Sequence, residues 1–230
     1  RAGLDLLAPD GALLVELGEV RLLFDPWLEG TAFSGGWGIR YENPEAFDLG
    51  ATATHLWLSH WHSDHLHAPS LAKLAERNPH MVVLANVSAN FSMVERLSSL
   101  GFRDVRPFHE REQIDLDEDT SCCRYPTAGI DNMLHIASGS WSMLNYNDCN
   151  LPPLARKLLA KRIGAVDVFM TNFNHAGKLL VNPWPGDEEI RTDESGFPIN
   201  RQFLDVDQSE PEIHAEPGYE GEVCAYNLYA

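Results

Sequence analysis

No apolar run in the chain approaches the roughly 20 residues that a membrane span requires. No charged-then-apolar opening suggests a secretory leader. Cysteine is scarce and unpatterned: Cys122, Cys123, Cys149 and Cys224 include no Cys-x-x-Cys pair. Adjacent cysteines rarely bridge each other, so reduced thiols in a cytoplasmic setting are expected. Positive charge is also short, with 17 Lys+Arg against 34 Asp+Glu, a net charge of −17 and a pI near 4.8. That balance argues against nucleic acid or an anionic membrane surface as the main partner. There is no internal repeat and no low-complexity tract. What is present is ordinary globular material, 44% hydrophobic and 22% charged over 230 residues. It suffices for one large domain, or one domain plus an appendage. The opening on Arg1 rather than Met leads to the expectation that it belongs to a longer protein.

The charge is concentrated. Gly186 to Ala230 carries twelve Asp/Glu and two Arg, with several Pro and Gly and no sustained apolar period. Residues 1–185 are therefore read as the catalytic domain. Residues 186–230 are read as an acidic, loop-rich extension or the lead into another domain.

Ala12–Leu17 and Val20–Phe24 flank Gly18-Glu19 and read as a β-hairpin. Asp25-Pro26-Trp27 ends the second strand, because proline cannot continue a central ladder. A Gly- and aromatic-rich loop runs from Leu28 to Tyr41, then a short buried strand from His55 to Leu58. Pro69–Arg77 is predicted as a helix with Ser63 or Asp64 as cap, Met81–Ala85 as a strand, and Ser88–Leu100 as a helix. Val105–Phe108, Cys122–Tyr125, Met133–Ala137, Trp141–Asn145 and Val166–Thr171 read as strands. Pro153–Ile163 reads as a helix that Gly164 stops. Hairpins first and strand–helix alternation later imply two sheets with helices outside them.

The chemistry concentrates in Ser59-His60-Trp61-His62-Ser63-Asp64-His65. Five of the ten histidines fall between His55 and His67. Alternate residues of an extended loop face the same way, so His60 and His62 can converge, with Asp64 and His65 one turn further on. Imidazole and carboxylate are the donors that hold zinc, iron or manganese.

H-x-H-x-D-H after a hydrophobic strand resembles the signature of the metallo-β-lactamase fold superfamily, which implies an αββα sandwich of two mixed sheets flanked by helices. More narrowly, Phe24-Asp25-Pro26-Trp27-Leu28-Glu29-Gly30-Thr31-Ala32-Phe33, followed by the histidine cluster and Leu66, resembles the lactamase-fold domain of the CMP-N-acetylneuraminic acid hydroxylase group. The likeness runs from about Leu13 to Phe173. It implies two metal ions, His60 and His62 on the first and Asp64 and His65 on the second. Asp148 would bridge them, with Asp64 and Asp148 as the catalytic carboxylates. Superfamily hydrolases place a further histidine in the loop that here reads Thr127-Ala128-Gly129-Ile130. Asp131 is the nearest ligand, and His135 is read as a strand histidine. His175, after the last strand, is the candidate for the final ligand. Asp25 is a candidate to orient a ligating imidazole. Trp27, Phe33, Trp37 and Tyr41 could wall a pocket or cover the core.

A carboxylate in place of imidazole makes the donor set harder and favours iron or manganese over zinc. The leading reading is therefore an oxygen-dependent hydroxylase or oxidase with a non-haem di-iron site and a small-molecule substrate. Family members pair this domain with a Rieske centre, but the chain has no Cys-x-His and Cys-x-x-His pair. Electrons are then expected from a Rieske domain outside the chain or from a separate partner. The alternatives are a hydrolase of an ester, lactone, amide or phosphodiester using metal-bound hydroxide, and a metal-binding scaffold without turnover.

Overall fold

In a computed structural model the described residues are 2–7, 12–39, 43–88, 91–127, 130–171 and two short strands at 191–192 and 198–199. The chain opens with β1 (Ala2–Leu6), β2 (Leu13–Leu17) and β3 (Val20–Phe24). A small ribbon, β4 (Thr31–Ala32) with β5 (Trp37–Gly38), and the short helix α1 (Ala46–Gly50) lead to β6 (His55–Trp57). Next come α2 (Ala68–Arg77), β7 (Val82–Ser88), β8 (Phe91–Ser92), α3 (Val94–Ser99) and β9 (Asp104–Phe108). β10 (Gln113–Asp115), β11 (Thr120–Pro126), β12 (Asn132–Ser138), β13 (Trp141–Asn147), α4 (Pro153–Ile163) and β14 (Val168–Thr171) complete the main body.

Both sheets are mixed. The first runs β1–β2–β3–β6–β7, with β8 and β9 both pairing with β7. Its β1–β2–β3 part is antiparallel, and β3, β6, β7 and β9 are parallel. The predicted hairpin is β2–β3, in register from Leu13↔Phe24 to Leu17↔Val20. Gly18 takes φ 62° in its two-residue turn, a conformation glycine adopts without steric cost. The second sheet runs β10–β11–β12–β13–β14, antiparallel except for the final pair.

Strand alternation assigns the layers. Leu13, Val15, Leu17, Leu22, Phe24 and Trp57 of the first sheet face Cys122, Leu134, Ile136 and Met143 of the second in one buried cluster. Leu14, Leu23, Leu56 and Val83 point the other way, onto Leu71, Leu74 and Leu97 of α2 and α3. Because both faces of β2 and β3 are covered, those strands read as nearly continuous apolar runs. α4 lies on the outer face of the second sheet, where Leu159 and Ile163 pack with Met133 and Leu144. The layers are thus α/β/β/α, the expected sandwich. Leu154 and Leu158 of α4 stay 69% and 60% exposed.

Two local expectations are corrected. α2 is capped by neither Ser63 nor Asp64: the His67 side chain accepts the Ser70 N–H, with Pro69 in the first turn. Ser63 instead accepts the Phe33 N–H at 2.7 Å. The segment read as a helix from Ser88 is strand first, since β7 reaches Ser88 and pairs with β8, and α3 starts only at Val94. The antiparallel ladder Val87↔Ser92 and Ser88↔Phe91 overrides the local helical spacing there. No helix among the described residues is long and apolar enough to cross a membrane.

The inter-sheet layer should carry most of the stability. Leu134→Ala, at a fully buried position, is expected to cost about 2–5 kcal/mol in urea unfolding. Leu158→Ala on α4 is expected to stay within about 0.5 kcal/mol of the parent.

Candidate metal centre

Chain directions decide what meets at the edge of the sandwich. Parallel β3 and β6 deliver Asp25 and the Ser59–His65 loop to the same end. β12 runs antiparallel to β13, so its start places Asp131 beside Asp148 at the end of β13. Residues more than a hundred positions apart are joined by topology alone.

Asp25 ties these elements together. It is 4% exposed and follows β3 with φ 39°. Its Oδ1 accepts the Ser59 N–H at 2.7 Å, and its Oδ2 accepts the Asn147 side-chain amide at 2.9 Å. The same Oδ2 lies 3.1 Å from His65 Nδ1. This arrangement presents the opposite nitrogen, Nε2, to the cluster. The orienting role expected of Asp25 thus has its geometry in place.

The histidine loop is held by amides that the sequence analysis did not single out. Ser59 Oγ lies 2.9 Å from His60 Nδ1 and 3.3 Å from His65 Nδ1. The Ser59 carbonyl accepts N–H groups from Asn86 at 2.9 Å and Asn132 at 2.8 Å. Asn86 also donates to the Leu58 carbonyl at 2.7 Å, while its Oδ1 accepts Trp57 Nε1–H at 3.1 Å. The signal for both asparagines was available: each is polar within an otherwise apolar strand, and a buried amide there must have partners.

All six donors expected in the described region form one continuous set of close contacts, with Asp64 and Asp148 both meeting His65. His60 Nε2 is 2.8 Å from His62 Nδ1 and 3.7 Å from Asp131 Oδ1. His65 Nε2 is 3.3 Å from Asp64 Oδ2 and 3.3 Å from Asp148 Oδ2. The rings of His60 and His65 stack with centroids 4.1 Å apart, joining the two groups. His175 lies outside the described residues, as does Tyr41. His55 and His67 stand apart from the cluster: His55 meets Thr54 Oγ1 at 2.8 Å and His67 caps α2.

The donor set fits a cation. His65 Nε2 and Asp64 Oδ1 are buried yet make no hydrogen bond of ordinary geometry. Donor atoms of His60, His65 and Asp148 lie within 4.8 Å of one another and could hold a metal ion. Burial, then the charges of His65 and His62, push the His60 pKa well down, while burial lowers that of His62. Both imidazoles are therefore neutral, the form that ligates. Burial alone would lower His65 too, but Asp64, Asp148 and Asp25 overcome it and hold His65 well above the usual range. Burial and the Asp148 charge raise Asp131 to about 6. The centre is an excess of carboxylate that draws positive charge inward.

The neighbours sort plainly. Trp27 is 1% exposed and belongs to the core, its indole N–H donating to the Glu29 carbonyl. Phe33 brings its ring to within 6.0 Å of His62 and packs on Trp37. The Cys149 thiol is pushed up by burial and by Asp131 and Asp148, so it stays protonated and serves packing. His135 lies in β12 with Nε2 buried and unbonded, away from the cluster.

No family model matches the chain. Over 167 residues it is 41% identical to the cytidine monophosphate-N-acetylneuraminic acid hydroxylase of Danio rerio, covering 69% of this chain and 27% of that protein. A 66-residue stretch, 28% of this chain, is 47% identical to the Sus scrofa hydroxylase and covers 15% of it. The same length is 46% identical to 13% of a Homo sapiens homologue named as inactive. The chain thus spans about a quarter or less of these relatives. Among solved structures, a mutant of CmlA beta-hydroxylase superposes with a TM-score of 0.60 at 22% identity, over 74% of this chain and 35% of that one. The lactamase-fold protein YhfI of Bacillus subtilis gives 0.51 at 13% identity, over 71% and 64%. With two mixed sheets between helices and a histidine loop at the strand ends, the chain has the metallo-β-lactamase fold, and its sequence similarity runs to the cytidine monophosphate-N-acetylneuraminic acid hydroxylases.

Proposed function

We propose that the chain is the metal-binding catalytic domain of an oxygen-dependent hydroxylase or oxidase acting on a small molecule. The observation that carries the reading is Asp131, a carboxylate 3.7 Å from His60 Nε2 where superfamily hydrolases place a histidine. His60 and His62 would hold one ion, Asp64 and His65 a second, and Asp148 would lie between them, with Asp131 completing the first set. Three carboxylates among three imidazoles make a hard, anionic donor set that suits iron better than zinc. The 41% identity to a hydroxylase supports the same class, and the CmlA structures include one described as a diiron beta-hydroxylase. When bound, such ions would supply redox and Lewis-acid chemistry.

The chain's own residues supply the geometry. Asp25 fixes the His65 ring through Nδ1, and Ser59 contacts both His60 and His65. Asn86 and Asn132 lock the loop carbonyls, so the donors are preorganised before any ion arrives. Electrons would come from a redox partner or domain outside the chain.

Anaerobic loading with ferrous iron should give about two ions per chain, and oxygen uptake with a reductant should then depend on that iron. Tight zinc with oxygen-independent ester cleavage would instead favour the hydrolase. Asp131→His should shift competition toward zinc, as read by metal content after loading from an equimolar iron–zinc mixture. Asp25→Asn removes the charge behind His65 and should weaken metal binding about 10–100-fold in chelator competition. His55→Ala, outside the cluster, should leave binding unchanged.

A further inference from the structure

Beside His60 lies a cavity of about 120 Å³, lined also by Trp61, Asn86, Arg124, Ile130 and Asn132. Water occupies about 30 Å³ in the liquid, so the space admits a few heavy atoms rather than a whole metabolite. Its unusual wall is Arg124. β11 alternates inward and outward, and Arg124 takes an inward position two residues after buried Cys122. The side chain is 1% exposed. Its Nη2 donates to the Val87 carbonyl across the sandwich at 2.9 Å. Its Nε is buried with no hydrogen-bond partner.

A guanidinium does not deprotonate in a protein, and taking such a charge out of water costs several kcal/mol unless an anion compensates it. Among the described residues no carboxylate comes within ion-pair distance of Arg124. Glu110, exposed at the cavity rim, and Glu112, whose carboxylate accepts the His109 N–H, act on it only beyond ion-pair distance. One carbonyl could be reached by many neutral donors, so the Val87 bond does not account for the charge. The planar N–H fork of arginine suits carboxylate and phosphate oxygens in particular.

We propose that this cavity is the subsite for an oxyanion of the substrate, a carboxylate or a phosphate, and that Arg124 binds it beside the His60 cluster. That the anion belongs to a substrate rests on the reading of that cluster as the reaction centre; anion binding itself does not. Arg124 thereby sets specificity for acidic small molecules, and the compactness of the cavity limits it to the charged end of the molecule.

The test uses the metal-free protein, so that neither probe can be held by a metal ion. Inorganic phosphate and acetate are titrated separately by calorimetry, and the tighter one names the oxyanion. The parent should bind one of them with a millimolar Kd, Arg124→Met should lose at least about tenfold, and Arg124→Lys, a point charge without the fork, should fall between them. Ile130→Trp fills the cavity while leaving the guanidinium, and should abolish binding even if Arg124→Met does not fold. Failure of the parent to bind either anion overturns the proposal, as does unchanged affinity in the folded variants. Anion binding that persists while iron loading fails would retain the subsite and remove the oxygenase reading instead.

Discussion

The buried carboxylate of Asp25 is the constraint on which the site depends. Three separately delivered groups converge on its two oxygens: the Ser59 amide after β6, the Asn147 amide at the end of β13, and the His65 ring. The two sheets are therefore joined at the edge by one side chain as well as by the hydrophobic layer between them. Without it, the loop after β6 would lose its link to β13 and His65 its fixed ring. A charge-assisted contact of this kind has well over the strength of a neutral one, and its burial prevents water from replacing it.

Around that anchor the electrostatics point one way. Asp25, Asp64 and Asp148 surround His65, and Asp131 is raised to about 6 by burial and the same crowding. Like charges are gathered at this density when a cation shares the space. Residues 186–230 account for −10 of the formal charge of −17, and the remainder still overstates the free surface charge of the body, because its acids near the cluster face one another rather than solvent. Arg124 is the complement, a buried cation whose nearest acids, Glu110 and Glu112, form no ion pair with it. Positive and negative groups on adjoining walls give the region a polarity that an extended, oppositely charged molecule can match.

Much of this was legible in the sequence, for physical reasons. Strands covered on both faces write themselves as unbroken apolar runs, which made β2 and β3 plain. His60, His62, Asp64 and His65 stand within six positions, so their meeting needs no knowledge of the fold. The remaining contributors are placed by long-range pairing. Asp131 and Asp148 meet because β12 and β13 are antiparallel, and nothing local records it. Ser88 was misread as helical because the short β7–β8 ladder, in which it pairs with Phe91, takes up residues whose spacing also suits a helix. Asn86, Asn132 and Arg124 did leave a trace, as polar residues in apolar strands at positions that alternation turns inward. The direction of an isolated polar residue in a strand deserves as much weight as a dense cluster.

Among the described residues four non-glycine residues have positive φ, and three of them border the centre: Asp25 at 39°, Phe33 at 50° and Asn147 at 51°. Such conformations cost on the order of 1–3 kcal/mol each, least for Asp and Asn. Glycine at any of the three would relax the backbone, yet would remove the carboxylate, the amide or the ring that the position supplies. Thermal robustness and preorganisation therefore pull against each other at the same residues. Adaptation to heat would have to proceed elsewhere, for example on α4 or in the loops, while these three positions keep the backbone that their side chains require.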